Sequence, residues 1–475
     1  MLLGIDAGTT GIRACIYSLD GKIISHSYVE FPSYYPKPGW VEQNAEEWWK
    51  SVVKACNEAI KIAKAEKEIE AIAVTNQRET IVPVAKNGVA IANAIVWQDR
   101  RSTEEVELIK STFGEEISRI TGLKPDPYFS LPKILWWMRN CPKVVENTWK
   151  FMLVHDYIVY KLTGDVLTDF SNASRTMLMD LENRKWSDKI ASKFEIDLDK
   201  LPELGNSGEV IGELKSKEIK VNSSPIVVLG GGDQQCSALA QGVVEIGTLK
   251  STTGTGTFMI APVDKMRGGD IVYSAHVIKK IVAEVSIFTT GSLLEWVKRN
   301  FYGSEGYEVL NKEAAKSGVG ARGLIIIPFF AGAGCPHWDS KARGAIFGLT
   351  LAHERGDIAR AVMESVAFEV RTNIELMEKL GISVDEIRLD GGGARSEIWN
   401  QIFADVTKKR CLVSSDVEAT VRGAAMLAAL GLGMKLKDVL KNFVPEFKVI
   451  NPSESEYEKI YEQYKKIRAI VLQTK

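Results

Sequence analysis

The feature that most constrains this chain is its opening, in which two short strands flank a turn rich in glycine and threonine. Residues 2–6 form an apolar run that ends in the carboxylate of Asp6, and residues 7–11 read AGTTG. Residues 12–17 have the pattern of a second strand, and residues 22–29 that of a third. This pattern predicts an antiparallel meander, which differs from the strand–turn–helix unit of a dinucleotide-binding or P-loop site.

A weaker copy of this opening lies about half a chain later. Residues 225–229 predict a buried strand followed by three glycines and Asp233, and residues 247–260 repeat the order strand, Gly/Thr turn, strand. Two such hairpins predict two related α/β halves. We place the boundary near residue 245, which gives domains of residues 1–245 and 246–475. Because no low-complexity linker separates the halves, we expect them to abut across a cleft.

Helical periodicity predicts helices in both halves. One begins at Asn44, with Glu47 three residues later in the spacing of a capping box. Apolar residues over positions 358–377 recur at the helical period until Gly381 ends the helix. Residues 419–430 predict another helix, whose alanines and glycines permit close packing.

Composition narrows the class of protein. The 475 residues are 45% hydrophobic and 25% charged, which is typical of a globular chain with two large domains. The 60 basic and 61 acidic residues argue against a general binder of nucleic acid or anionic membranes. No apolar run reaches the roughly 20 residues of a membrane span. The six scattered cysteines exclude a disulfide framework and are typical of reduced thiols in a cytoplasmic protein.

Three Gly-rich turns, at residues 6–11, 253–256 and 390–394, each follow a predicted strand. Glycine lets backbone N–H groups approach phosphate oxygens, and threonine hydroxyls add donors. One such turn alone is more often a tight hairpin, but three together favour a nucleotide-binding site. The GVGARG segment at residues 318–323 matches a dinucleotide pattern, yet it precedes a strand and opens no helix, so we reject it as such a site.

Asp6 and Asp233 stand beside glycine at equivalent ends of two predicted strands. Phosphoryl transfer from MgATP needs one carboxylate near the metal and one that accepts the proton of the attacking hydroxyl. Either residue alone could belong to an Asx turn. Together they predict a metal carboxylate and a base.

Arg78 and Glu79 follow another predicted strand. Adjacent opposite charges are usually a surface ion pair, whereas in a polyol site Glu79 would accept hydrogen bonds and Arg78, as its charged partner, would donate them. Trp97, Tyr128 and Phe258 would then form an apolar wall, although aromatic residues more often belong to a core.

These motifs resemble those of the FGGY carbohydrate kinases, of the actin-like ATPase superfamily, over the full length of the chain. The matching segments are DAGTT (6–10), PGWVEQ (38–43), WQDR (97–100), GDQQ (232–235), STTGTG (251–256) and GGGARSEIW (391–399). The resemblance implies an α/β fold of two actin-like (ribonuclease H-like) ATPase domains facing a central catalytic cleft. It also implies ATP and Mg²⁺ as cofactors.

The resemblance further implies a role for each matching residue, with Asp233 as the catalytic base and Asp6 as the metal carboxylate. The residues expected to contact the polyol are Arg78, Glu79, Trp97, Tyr128, Asp233, Gln234 and Phe258. The residues expected to bind the nucleotide are Thr9, Thr10, Gly11, Arg13, Thr255, Gly291, Glu295, Gly392 and Ser396.

The substrate is less sharply indicated. Segments NQRET (76–80), PYFS (127–130) and SNASRTML (171–178) resemble glycerol kinases, whereas GGGARS (391–396) resembles pentulose kinases, and Glu295 stands where glycerol kinases tend to have glutamine. Glycerol therefore leads, with a pentulose or another polyol as the alternative, and a non-catalytic ATP switch as a third hypothesis. As partners we expect a small polyol or sugar, no nucleic acid, no membrane insertion and self-association into a dimer or tetramer.

Overall fold

A computed structural model describes residues 1–339, 341–414 and 418–473. It divides into two compact units. Unit 1 comprises Met1–Gly242, Tyr273–Val282 and Glu418–Val444, and unit 2 comprises Val243–Val272, Ala283–Val417 and Pro445–Lys475. The domain boundary near residue 245 stays a prediction, since the units interleave along the chain. Within the described residues, no helix combines the length and apolarity needed to cross a membrane.

The strands, in chain order, are β1 (Leu2–Ala7), β2 (Gly11–Tyr17), β3 (Ile23–Glu30), β4 (Glu42–Gln43), β5 (Ala71–Asn76), β6 (Ile81–Val84), β7 (Ala94–Ile95), β8 (Lys150–Leu153), β9 (Leu167–Asp169), β10 (Met179–Asp180), β11 (Lys185–Trp186), β12 (Glu203–Gly205), β13 (Val210–Glu213), β14 (Ile226–Gly232), β15 (Gly247–Thr253), β16 (Thr257–Val263), β17 (Val272–Ala275), β18 (Ile281–Ile287), β19 (Ile325–Ile327), β20 (Ala345–Phe347), β21 (Val384–Asp390), β22 (Arg410–Ser414) and β23 (Phe447–Ile450). The α-helices are α1 (Ala45–Ala63), α2 (Thr103–Thr121), α3 (Ser130–Asn140), α4 (Pro142–Asn147), α5 (Val154–Thr163), α6 (Phe170–Ala173), α7 (Asp188–Phe194), α8 (Asp233–Ala240), α9 (Gly291–Val297), α10 (Tyr307–Ser317), α11 (Arg355–Lys379), α12 (Glu397–Thr407), α13 (Ala419–Gly431), α14 (Leu436–Phe443) and α15 (Tyr457–Gln473).

The main sheet of unit 1 has the strand order β13-β14-β5-β1-β2-β3. The predicted meander is confirmed, because β1 pairs with β2, and β2 with β3, in antiparallel register. Strands β1, β5 and β14 are parallel to one another. The carboxyl ends of parallel strands meet at one edge of a sheet. This edge therefore carries Asp6 in β1, the residues after Asn76 in β5, and Asp233 after β14.

Unit 2 repeats this topology. Strand β15 pairs antiparallel with β16 and parallel with β21, β21 pairs parallel with β22, and β22 pairs antiparallel with β23. The order β16-β15-β21-β22-β23 thus corresponds to β2-β1-β5-β14-β13 in unit 1. Two related α/β halves, expected from the repeated Gly/Thr hairpin, are confirmed by this shared strand order.

The first helix departs from one expectation. Asn44 does cap α1, since its Oδ1 accepts a hydrogen bond from the Glu46 backbone N–H at 2.9 Å. The predicted capping box is wrong, however, because Glu47 points elsewhere. Its Oε1 accepts a hydrogen bond from the Tyr34 hydroxyl at 2.8 Å. A long-range partner has therefore replaced the local one.

Helix α13 packs into unit 1 against α8 and against strands β1, β5 and β14. Small residues make this possible. A Cβ at Gly4 of β1 would lie 2.7 Å from the Val421 carbonyl oxygen, and a Cβ at Gly423 would lie 2.0 Å from the Cys236 carbonyl oxygen. The alanines and glycines noted in the sequence thus allow α13 to pack closely against the main sheet of unit 1, whose strand β1 begins at residue 2.

We predict that Gly423→Ala lowers the free energy of unfolding although alanine is the better helix former. The new methyl group would overlap the Cys236 carbonyl, and overpacking of this kind costs about 1–3 kcal/mol. Gly114→Ala, inside α2, is the matched control. Its Cβ would meet no atom closer than the Ile109 carbonyl oxygen at 3.8 Å, so helix propensity should stabilise that variant by up to about 1 kcal/mol. Urea unfolding of both variants measures the difference, and equal midpoints would contradict the packing argument.

Candidate active site

The sheet edge of unit 1 brings together six of the seven predicted polyol residues and the predicted metal carboxylate. Arg78 and Glu79 follow β5, and Asp233 and Gln234 begin α8 directly after β14. Trp97 follows β7 and Tyr128 precedes α3. The seventh residue, Phe258, lies on β16 in unit 2, and its part in a polyol site stays a prediction.

Arg78 lies between two carboxylates. Its Nε is 3.3 Å from Asp233 Oδ1 and 3.9 Å from Glu79 Oε1. The expected charge pairing of Arg78 with Glu79 is therefore present, but the shorter contact of Glu79 is with Arg175, whose Nε donates to Glu79 Oε1 at 2.5 Å. The side chain of Glu79 is only 1% exposed, whereas that of Asp233 is 31% exposed. Arg175, Glu79, Arg78 and Asp233 therefore form a chain of alternating charges that ends in a carboxylate open to a ligand.

The backbone of Glu79 is held in an unusual conformation. Its φ of 63° lies in the left-handed region, which is sparsely occupied by residues other than glycine. Its carbonyl oxygen accepts hydrogen bonds from Ser130 Oγ at 3.1 Å and from Lys133 Nζ at 3.0 Å. Lys133 also donates to the Tyr128 carbonyl oxygen at 2.6 Å. Burial lowers the pKa of Lys133 to about 7.

Two aromatic rings stand beside these charges. The Trp97 and Tyr128 rings contact edge to face, with their centroids 5.5 Å apart. Burial, assisted by the Glu79 charge, raises the pKa of the Tyr128 hydroxyl well above its usual range. Trp97 Nε1 donates to Thr9 Oγ1 at 3.0 Å. Thr9, expected in the nucleotide site, is thus linked directly to the aromatic wall.

Asp6 is half-buried in β1, close to other charged groups. Burial and the neighbouring Asp233 carboxylate raise the pKa of Asp6 to about 7, although Arg13 opposes this shift. A divalent cation would relieve the repulsion between the two carboxylates. The described residues contain no cluster of three or more His, Cys, Asp or Glu side chains suited to a metal. The pair Asp6 and Asp233 fits Mg²⁺, which is commonly held by one or two carboxylates together with water and phosphate oxygens.

The first Gly/Thr turn joins β1 to β2. The Gly8 N–H donates to the Gly11 carbonyl oxygen at 3.0 Å. A Cβ at Gly11 would lie 2.7 Å from the Val29 carbonyl oxygen, so this position requires glycine. Thr10 is exposed, and its hydroxyl is 3.0 Å from that of Tyr28.

Arg13, on β2 opposite Asp6, has a partner of its own. Its Nη1 donates to Glu418 Oε1 at 2.5 Å, and its guanidinium lies 5.1 Å from the centre of the Tyr28 ring. To contact a phosphate, as the resemblance implies, the Arg13 guanidinium must either bind Glu418 and the phosphate together or give up its hydrogen bond with Glu418.

A cavity of about 590 Å³ lies within unit 2. All five predicted nucleotide residues of that unit line it, namely Thr255, Gly291, Glu295, Gly392 and Ser396. Tyr307, Asn311, Arg395 and Trp399, which the sequence did not single out, also line it. The five predicted residues come from three Gly-containing segments that are far apart in sequence and meet at this one cavity.

Close backbone approaches shape this cavity. The Gly291 N–H donates to the Gly254 carbonyl oxygen at 2.9 Å, and a Cβ at Gly291 would lie 2.1 Å from that same oxygen. Ser396 caps α12 and donates through Oγ to Asn311 Oδ1 at 3.0 Å. The Tyr307 hydroxyl donates to the Glu295 carboxylate. Glycine at the turns and short polar side chains on the helices leave room for a ligand.

Sequence reasoning missed the supporting residues. Arg175 lies within SNASRTML, a segment already quoted for its resemblance, so a signal for it was present. Lys133 on α3 and Asn311 on α10 belong to no motif, and only their contacts reveal them. All three act on residues that are remote in sequence, Arg175 on a partner 96 positions away.

Comparisons with known proteins identify the family of this chain. Residues 1–240 match the model of the N-terminal domain of the FGGY family of carbohydrate kinases, and residues 249–432 match that of its C-terminal domain. The chain is 38% identical over 454 residues to a glycerol kinase of Thermococcus kodakarensis, which covers 91% of this chain and 88% of the relative. It is 36% identical over 487 residues to glycerol kinase 2 of Saccharolobus solfataricus, which covers 96% and 94%.

A solved structure extends the comparison to the fold. The crystal structure of Plasmodium falciparum glycerol kinase with ADP matches with a TM-score of 0.92 at 27% identity, covering 100% of this chain and 98% of that one. The expected mixed α/β, two-domain architecture is thereby confirmed. With both domain models matched in order along its length, the chain belongs to the FGGY family of carbohydrate kinases.

Proposed function

We propose that this enzyme transfers the γ-phosphoryl group of ATP to a terminal hydroxyl of a small polyol, and that the polyol is glycerol. The observation that carries the proposal is the charge chain at the sheet edge of unit 1. There Asp233 is paired with Arg78, beside Glu79 and the Trp97–Tyr128 wall. Relatives named glycerol kinase, at 36–38% identity, support the choice of polyol.

In the proposed reaction, residues of this chain bind the polyol and accept the proton of its terminal hydroxyl. Arg78 and Glu79 hold adjacent hydroxyls of the polyol, and Asp233 accepts the proton of the terminal hydroxyl as its oxygen attacks the γ-phosphorus. The bond from that phosphorus to the β–γ bridging oxygen breaks, and ADP leaves. The Arg78 guanidinium, whose Nε is 3.3 Å from Asp233 Oδ1, would hold that carboxylate in position for this step.

The nucleotide half of the proposal draws on both units. Thr255, Gly291, Glu295, Gly392 and Ser396 would hold the nucleotide in the 590 Å³ cavity. Thr9, Thr10, Gly11 and Arg13, in unit 1, are the other residues that the resemblance assigns to nucleotide binding. Asp6 would hold Mg²⁺ through water, and the ion would supply positive charge that offsets the charge of the phosphates.

Phosphorylation of a pentulose or another polyol is the alternative. The features that favour it, the GGGARS segment at 391–396 and Glu295, belong to the cavity of unit 2, whereas Arg78 and Glu79 belong to unit 1. They therefore bear on the nucleotide more than on the acceptor. A non-catalytic ATP switch would have no use for the polyol residues. A cytoplasmic location and assembly into a dimer or tetramer stay predictions.

Asp233→Asn should lower kcat by about 10²–10⁴-fold, because the amide keeps the shape of the side chain but cannot accept a proton. ATP binding should survive. Asp165→Asn, which removes a surface carboxylate 3.3 Å from Lys215 Nζ, is the control and should leave kcat unchanged. Turnover of Asp233→Asn near that of the wild type would remove Asp233 from the mechanism.

Asp6→Ala should abolish MgATP-dependent turnover and flatten the response to Mg²⁺ concentration, while polyol binding persists. The reason is that Asp6 is the proposed holder of the ion, whereas Arg78 and Glu79 hold the polyol. A magnesium titration of activity, together with calorimetric glycerol binding, separates the two effects. Lost glycerol binding with intact Mg²⁺ dependence would show that the division between Asp6 and Asp233 is wrong.

The substrate itself is tested by kcat/KM for glycerol and xylulose in the wild type, Phe258→Ala and Arg78→Ala. If Phe258 narrows the pocket, its truncation should relax selectivity towards longer polyols. Arg78→Ala should damage glycerol use directly, since it removes a polyol donor and the cation beside Asp233. A wild type that prefers xylulose by tenfold or more, about 1.4 kcal/mol, would overturn glycerol and leave the kinase class intact.

A further inference from the structure

We infer that Arg175 is a positioning residue that sets the affinity for the polyol by fixing the direction of the Glu79 carboxylate. The inference rests on the proposed polyol site. Arg175 belongs to none of the residue sets assigned to the polyol, the nucleotide or the metal. Its contacts nonetheless converge on residues of the polyol set.

Arg175 is almost wholly buried beside Glu79. Its side chain is 5% exposed, and its Nε donates to Glu79 Oε1 at 2.5 Å. Its guanidinium also lies 5.5 Å from the centre of the Tyr128 ring and 5.0 Å from that of Phe129. The Arg175 guanidinium therefore contacts both the Glu79 carboxylate and Tyr128 of the aromatic wall.

Glu79 is held at its other end by different residues. Ser130 and Lys133 fix its carbonyl oxygen, and its backbone lies in the left-handed region. These contacts set where the side chain starts, but not where the carboxylate points. The remaining charged contact, with Arg78 Nε at 3.9 Å, is longer than a hydrogen bond. The direction of the carboxylate thus depends mainly on Arg175.

Lysine cannot replace arginine here. A guanidinium is planar, so it can stack on aromatic rings while its fixed N–H groups donate to a carboxylate. An ammonium group is a compact point charge with rotatable N–H groups, so it has neither the flat face nor the fixed donor directions of the guanidinium. Without the Arg175 guanidinium, the Glu79 carboxylate would turn towards Arg78. It would then no longer be in position to accept a hydrogen bond from the polyol. The loss should appear in polyol affinity more than in the phosphoryl transfer step.

A double-mutant cycle of Arg175→Lys and Glu79→Gln tests the inference. Alone, Arg175→Lys should raise the KM for glycerol at least tenfold, change kcat less than threefold and leave the KM for ATP unchanged. In the Glu79→Gln background the same substitution should have little further effect, because the group through which Arg175 acts is already altered. Arg184→Lys is the matched control. Arg184 stacks on Phe170 at 3.9 Å but touches none of the predicted polyol residues, and this variant should keep the wild-type KM.

Melting temperatures distinguish positioning from a purely structural role. A lower melting temperature with an unchanged glycerol KM, or additive effects of the two substitutions, would overturn the inference. Arg175→Gln, which retains a donor without the charge, provides a second variant for the cycle if Arg175→Lys does not fold. If the wild type does not phosphorylate glycerol, the proposed substrate fails. The cycle is then run with the polyol that the wild type does phosphorylate, so that the two failures remain separate.

Discussion

Parallel pairing of β1, β5 and β14 is the constraint on which the rest of the candidate site depends. Each strand ends at the same edge of the sheet, so three segments spread over more than 200 residues of the chain bring charged side chains to one place. Asp6 comes from the first strand, Arg78 and Glu79 from the second, and Asp233 from the third. A shift in the register of any one of these strands would move its charged side chains away from those of the other two.

The charges at this edge are closely but incompletely balanced. The carboxylates of Asp233 and Glu79 contact the guanidinium groups of Arg78 and Arg175, whereas Arg13, opposite Asp6, is engaged by Glu418. Burial and, after it, the neighbouring Asp233 carboxylate raise the pKa of Asp6, and Arg13 opposes the shift. Buried Glu79 is fixed by its ion pair, whereas partly exposed Asp233 keeps access to a ligand. The division suits a site in which one carboxylate positions a substrate and another exchanges a proton with it.

The two units share one strand order but differ in the side chains at the corresponding edge of the sheet. In unit 1 the edge beyond the parallel strands is lined by charged and aromatic side chains. In unit 2 the corresponding hairpin and the turn after β21 are lined by glycine, threonine and serine, and they border a cavity. Glycine at position 291 is required there because any side chain would overlap the Gly254 carbonyl. The same topology thus carries an edge of charged and aromatic side chains in one unit and a cavity in the other.

The sequence by itself determined the features that depend on near neighbours. Alternating polarity and the Gly/Thr turns predicted both hairpins, and helical periodicity predicted α1, α11 and α13. The motifs singled out six residues that lie together at the sheet edge of unit 1 and five that line the cavity of unit 2. Tertiary structure decided the partners. It paired Glu79 with Arg175, moved Glu47 from a capping box to Tyr34, and brought α13 onto the sheet of unit 1. The physical reason is that turns and periodicity arise from interactions within a few residues, whereas ion pairs across a hundred positions exist only once the packing of distant segments has set their distances.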